Sequence, residues 1–248
     1  MIAYKFDGTI DGLFSCVYNS FVLKEIPYLV ADGDLQLLLD GEVRNIKTDH
    51  EANKRIITAL YNYIGFNALS DIKFAFRSGN ENKSDVIFRY IRRTFECRKN
   101  ISGKFSEKIV MDFYDLVKQV SNEVHRMKGF VRFSECADTI MYARFSPDND
   151  ITDLLMPHFT ARFKNMPFVI HDVSRGKVAM FNGSESKILT VDSPFWLQMS
   201  EQERTFQSLW RTYYNSVNIK ERKNDKLMRS FLPTRYHKHL TELHRVGA

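Results

Sequence analysis

The chain has 248 residues, 44% hydrophobic and 13% aromatic, with a formal net charge of +6. That length can bury a substantial core, and the composition excludes a disordered chain. No apolar run reaches the ~18 residues of a membrane span, the start Met1-Ile-Ala-Tyr-Lys-Phe-Asp-Gly lacks a secretory pattern, and Cys16, Cys97 and Cys136 form no Cys-x-x-Cys pair, so a cytoplasmic protein with reduced thiols and no zinc ribbon or iron–sulfur cluster is expected.

In chain order, Tyr4-Lys-Phe-Asp reads as a short strand closed by Asp7-Gly8. Leu13, Phe14, Val17, Tyr18, Phe21 and Val22 then mark the apolar face of a helix from about Asp11 to Lys24, and Pro27 ends that segment. Leu35 to Leu39, before Asp40-Gly41, suggests a strand and turn, with a short helix as the alternative. Thr48-Asp-His-Glu51 has the form of a capping box for a helix through Ile56, Ile57, Leu60 and Ile64, closed by Gly65. Ser84 stands where it can cap a helix with Val86, Ile87, Tyr90 and Ile91 inward and Arg89, Arg92 and Arg93 converging outward. A long helix from about Ser106 to Lys128 follows, with Ile109, Phe113, Leu116, Val117, Val120, Val124 and Met127 as a core stripe. Its last turn holds His125, Arg126 and Lys128. These cations either complement the helix dipole or grip a phosphate.

After Gly129 the apolar spacing switches from helical to alternating. Phe130-Val-Arg-Phe and Thr139 to Phe145 read as one strand pair. Phe168 to Val173 and Lys177 to Phe181 read as another, across the Arg175-Gly176 turn. Between the pairs lies a helical segment from Asp150 to Phe163, expected to turn and then start a helix near Pro157, with His158 and Arg162 one turn apart. Asp192 to Trp196 reads as a loop. Ser200-Glu-Gln-Glu203 is a second capping box, opening a helix whose stripe of Phe206, Leu209, Trp210, Tyr213, Tyr214 and Val217 is expected to be mostly core. The predicted fold class is α+β: a central antiparallel sheet of two hairpins flanking a helix, packed with several amphipathic helices. One compact unit is expected, with a mostly helical sublayer over 1–128 and a hairpin–helix–hairpin sublayer with a basic tail over 129–248.

The charge is unevenly spread. Residues 85–132 carry 11 Lys+Arg against 6 Asp+Glu, and residues 200–248 carry 10 against 5, a net of +5 in each block, while the remaining stretches are each −2. These blocks are either solvated helix faces or the halves of a phosphate-binding patch.

Four stretches carry a resemblance: Tyr4 to Tyr18, Glu123 to Phe133, Tyr142 through Pro157-His158 to Gly176, and Phe206 through Glu221-Arg-Lys-Asn to Pro233-Thr-Arg-Tyr236. They are similar to a bacterial family of unassigned activity, described as probable DNA-metabolism or putative DNA-repair proteins. The resemblance implies DNA as a partner and a companion radical-SAM protein, and a similar domain occurs fused to uracil-DNA glycosylases. This chain lacks the cysteine triad of radical-SAM enzymes, so it would be the companion. It departs from the family pattern at Ser174, where a second arginine is common, and at Asp225, where proline is common.

Against that background His171, Asp172 and Arg175 are the candidate catalytic residues, as an acid or base, an orienting or water-activating carboxylate, and a neighbouring cation. Neighbours on a regular strand face opposite ways, so Asp172 can equally anchor the turn or pair with Arg175. Metal binding by His125, His158 and His171 lacks ligand spacing, and neither a metal nor a cofactor is expected. The candidate nucleic-acid contacts are Arg89, Arg92, Arg93, His125, Arg126, Lys128, Arg132, His158, Arg162, Arg211, Arg222, Lys223, Asn224, Arg229 and Arg235, with Tyr236 as a ring for base stacking. The alternatives are a stand-alone base- or nucleotide-processing hydrolase and a protein-interaction scaffold without nucleic-acid contact.

Overall fold

A computed structural model describes residues 1–33, 41–136, 139–191 and 197–243. The fold class is α+β, as the alternation and periodicity imply. The segments 35–39 and 192–196 lie outside the described residues. The chain divides into two compact units, Met1–Asn122 and Glu123–Ala248.

In the first unit β1 (Ile2–Lys5) is the centre of a three-stranded parallel sheet, between β2 (Leu29–Ala31) and β3 (Glu42–Asn45). Helix α1 (Ile10–Val22) is the crossover from β1 to β2, and Thr9 caps it by accepting from the Gly12 N–H. Helix α2 (His50–Phe76) is capped by Asp49, whose carboxylate accepts from the Glu51 and Ala52 N–H groups. The Thr48 capping box therefore does not form, because the Thr48 hydroxyl donates to Asp7 instead, at 2.6 Å. As the sequence implies, Gly65 ends the first helical run of α2. Its φ of 75° breaks the helical path, and the chain resumes as helix beyond it. Helices α3 (Lys83–Cys97) and α4 (Lys108–Phe130) follow, and Ser84 lies inside α3 rather than capping it. The Tyr90 and Phe113 rings stack at 3.8 Å between centroids within the buried core.

The second unit is built on a five-stranded sheet in the order β4 (Phe133–Glu135), β5 (Met141–Phe145), β6 (Phe168–Asp172), β7 (Lys177–Phe181), β8 (Ser186–Thr190). The two anticipated hairpins are present, but the first strand is Phe133–Glu135 instead of Phe130–Phe133, because α4 continues through Phe130, and a third pairing adds β8. The hairpins join in parallel through β5 and β6, because α5 (Thr152–Phe163) is a crossover and returns the chain in the same direction. Pro157 falls inside α5 instead of opening it. Burial of Leu155, Met156 and Phe159 holds the helix on both sides of that proline. On the α5 face of the sheet, Phe133 meets Phe159, Phe163 and Phe168 with ring centroids 5.0, 4.6 and 5.8 Å apart. Gly176 turns β6 into β7 at φ 61°, where a Cβ would stand 2.5 Å from the Val191 carbonyl.

Helix α6 (Glu201–Val217) starts at a Ser200 cap that accepts from the Glu203 N–H, as the sequence pattern predicts. Its apolar stripe is not core. No residue of α6 is buried, and Phe206 is 69% exposed. Periodicity reports which residues share a helix face but not whether that face is covered. After α7 (Asp225–Phe231) come two 3-10 segments, Thr234–His239 and Thr241–Leu243.

One buried carboxylate ties this C-terminal stretch to the sheet. Glu123 accepts from the Asp148 and Asn149 N–H groups, the Asn149 side-chain amide and the Tyr236 hydroxyl, at 2.8, 2.8, 2.6 and 2.5 Å. Glu123→Ala leaves those largely buried donors without their acceptor and is expected to lower unfolding stability by about 3 kcal/mol, with Tyr236→Phe costing about 1 kcal/mol. Chemical denaturation followed by circular dichroism measures both.

Candidate functional site: a basic cleft in the second unit

The face of the second sheet opposite α5 carries Ser134 on β4, Tyr142 and Arg144 on β5, and His171 on β6, as the register requires. Beyond β4, Met199 bridges to Cys136 and the Ser200 N–H donates to the Glu135 carbonyl. These bonds dock the start of α6 beside the sheet edge, and Gln207 of α6 donates to the Ser134 hydroxyl at 2.9 Å. The result is a cleft of about 690 Å³, bounded by β4, β5, α6 and the 3-10 segments. That is the size of a small-ligand pocket.

Its lining is cationic. Arg132, Arg144, Arg204, Arg211, Lys238 and His239 face it, and no carboxylate lines it among the described residues. Arg132 is committed: it pairs with Glu242 at 2.6 Å and donates to the Gly129 carbonyl at 2.7 Å. Burial pushes the Glu242 carboxyl up, but Arg132 carries it below the usual range. His239 lies 2.9 Å from the Ser146 hydroxyl. The side chains of Arg144, Arg204, Arg211 and Lys238 make no ion pair or hydrogen bond among the described residues. Four unneutralised cations therefore converge on one concavity. At the floor, the buried Tyr142 hydroxyl lies 2.8 Å from His171 Nδ1. Burial pushes the Tyr142 phenol up to about 12, against the pull of Arg144, so it stays a neutral hydroxyl.

A family profile described as "Domain of unknown function (DUF4130)" matches residues 81–242. The chain belongs to the DUF4130 family. The DUF4130 match takes in every residue lining the cleft, and its description carries no activity. No curated protein matches the chain. Among solved structures, the pGpG-specific phosphodiesterase PggH of Vibrio cholerae is similar at 8% identity, over 72% of this chain and 80% of that one, with a TM-score of 0.31. A likeness at that level supports no assignment.

The remaining sequence-predicted residues of this DUF4130 chain fall into separate groups. His171 and Asp172 leave β6 on opposite faces, so only His171 approaches the cleft. Asp172, fully buried, accepts from the Ser174 and Arg175 N–H groups and pairs with the Arg175 guanidinium at 3.0 Å. Arg175 also donates to the Pro147 and Asp148 carbonyls, at 3.0 and 2.6 Å. Burial raises the Asp172 carboxyl above its ordinary value, with Arg175 drawing it back. These contacts make a turn anchor. In the first unit Arg89 pairs with Asp85, Arg92 donates to the Ser20 hydroxyl and Arg93 pairs with Glu107, at 2.6, 2.9 and 2.8 Å.

Around the α4 terminus His125, Arg126 and Lys128 are exposed. Burial, then Lys128 and Arg162, lower the pKa of His158 on α5. Tyr236 is only 3% exposed and its hydroxyl serves Glu123, so its ring is closed to a stacking base. Arg235 lies over that ring and pairs with Asp148 at 2.6 Å. Asn224 caps α7, Lys223 pairs with Asp225 at 3.6 Å, and Arg222 and Arg229 are exposed.

Of the cleft's cations the sequence had singled out Arg132 and Arg211. Arg144, Arg204 and Lys238 were missed, and so were Tyr142 and His239. The available signal was the spacing of Tyr142 and Arg144, two apart on a strand and hence on one face. Removing the guanidinium beneath Asp172 separates anchor from chemistry. Arg175→Ala is expected to cost about 2 kcal/mol of stability, below the figure for a fully buried pair because Arg175 is partly exposed. Anion binding in the cleft should be unchanged. Parallel denaturation and binding titrations check this.

Proposed function

We propose that the chain binds nucleic acid by its phosphates, with the cleft of the second unit as the contact surface, and that it acts as the DNA-binding companion of a radical-SAM protein. The observation that carries the binding claim is the set of four cations that have no ion-pair partner, and a lining that has no carboxylate, among the described residues. Such a set repels itself when the cleft holds no anion and is relieved by closely spaced phosphates. Arginine dominates it, which suits forked hydrogen bonding to phosphate oxygens. DNA as the particular polymer, repair or modification as the setting, and the radical-SAM partner rest on the family resemblance of the quoted sequence stretches.

A second reading, a base- or nucleotide-processing hydrolase, is favoured by one contact. His171 meets the Tyr142 hydroxyl at the cleft floor, where a proton could be moved. Asp172 would not share that work, since it faces away.

Fluorescence anisotropy with labelled DNA across a salt series tests the proposal. Four phosphate contacts give a slope of log K against log salt of about −3, and Arg144→Glu or Arg204→Glu should weaken binding at least tenfold and flatten the slope by about one. A salt-independent affinity, or binding indifferent to both reversals, would contradict it. Turnover of a damaged oligonucleotide by the isolated chain, lost in His171→Ala, would move the assignment to the hydrolase.

A further inference from the structure

A second basic cavity, of about 670 Å³, lies farther along α6 in the same unit. Tyr214 of α6, its C-cap Asn218, Arg222, Arg229 and Phe231 around α7, and His237 of the first 3-10 segment line it, together with Asp225, whose carboxylate is paired with Lys223. Arg222 and Arg229 have no side-chain hydrogen bond or ion pair among the described residues. Both cavities are built on the same two elements. Helix α6 gives Gln207 and Arg211 to the first and Tyr214 and its C-cap Asn218 to the second, and the 3-10 segment gives Lys238 and His239 to the first and Thr234 and His237 to the second. They therefore run side by side, and the stretch of α6 from Gln207 to the C-cap Asn218 measures about 16 Å at the helical rise per residue.

The aromatic content of the second cavity is the independent observation. Phe231 is 70% exposed at its wall, and Tyr214 is half-buried beside it. No described ring contact involves either, so neither is engaged in the aromatic packing of the unit. Rings presented inside a basic concavity are accessible to a base whose face is free, and the bases of an intact duplex have none. A concavity of this size also admits a nucleotide.

We infer that the two cavities form one track for single-stranded nucleic acid, with phosphates on the unpaired cations and bases against Tyr214 and Phe231. This rests on the phosphate-binding role proposed above and adds strand state and length to it. At the roughly 3.4 Å per nucleotide of a stacked strand, 16 Å corresponds to about five nucleotides.

The test uses the full chain with labelled oligothymidylates from dimer to octamer and a blunt duplex of matched phosphate number, read by anisotropy at low salt. Affinity should climb with length to about five nucleotides and then level off, and single strands should bind at least tenfold more tightly than the duplex. Tyr214→Ala and Phe231→Ala should each weaken single-strand binding roughly tenfold while leaving the duplex affinity and the salt slope unchanged. Both side chains lie at the surface, so unchanged circular-dichroism melts would show intact folds. Equal or tighter duplex binding, or ring variants that bind like the parent while Arg144→Glu still abolishes binding, would overturn the single-strand track and leave the phosphate role standing. Failure of every nucleic acid to bind would remove both.

Discussion

Successive side chains of a β-strand leave on opposite faces, and in the second unit that rule decides which polar groups can meet. On β5 it sends Tyr142 and Arg144 to the cleft, and Ala143 and Phe145 to the side that carries Phe133 and Phe168. On β6 it sends His171 toward Tyr142 and turns Asp172 away, into the β6–β7 turn. A histidine and an aspartate adjacent in sequence thus serve two unrelated sites. The parallel join of β5 to β6 matters equally, because it sets Tyr142 beside Val169 and Arg144 beside His171.

Charge is distributed by the same economy. Most of the arginines that stood out in the sequence have structural partners: Arg89, Arg93, Arg132, Arg175 and Arg235 each hold a carboxylate, and Arg92 holds the Ser20 hydroxyl and the Glu25 carbonyl. The more exposed of these pairs contribute little stability individually, and all of them neutralise the cations they hold. What distinguishes the cleft is the reverse condition, in which Arg144, Arg204, Arg211 and Lys238 face one space with no ion pair of their own and no carboxylate in its lining among the described residues. The buried Glu123 carboxylate keeps that condition in place at a distance. Through Tyr236 it anchors the 3-10 segment that delivers Lys238 and His239.

Much of the scaffold was legible in the sequence because strands and caps are local. The β6–β7 hairpin, the switch to alternating spacing after the long helix and the Ser200 cap follow from residues within a few positions of one another. The cleft was less legible because it is assembled from residues that are remote in the chain, from Arg132 to Thr241. Density of charge drew attention to Arg222 and Lys223, whereas convergence of charge selected isolated residues such as Arg144. The α6 stripe misled for a related reason: Phe206 and Tyr213 have core periodicity yet stand exposed, since coverage of a helix face is a property of the whole fold. Tyr236 erred in the opposite direction, a polar-tipped ring in a basic tail that the buried Glu123 draws inside.

The central claim is that phosphates enter the cleft of the second unit. Amide hydrogen exchange of the full chain, with and without a short oligonucleotide, tests it most directly. Slowed exchange concentrated at Tyr142–Arg144, Arg204–Arg211 and Lys238–Thr241 is the predicted result. Protection confined to the segments bearing Arg89, Arg92 and Arg93, with none around Arg144, would contradict it.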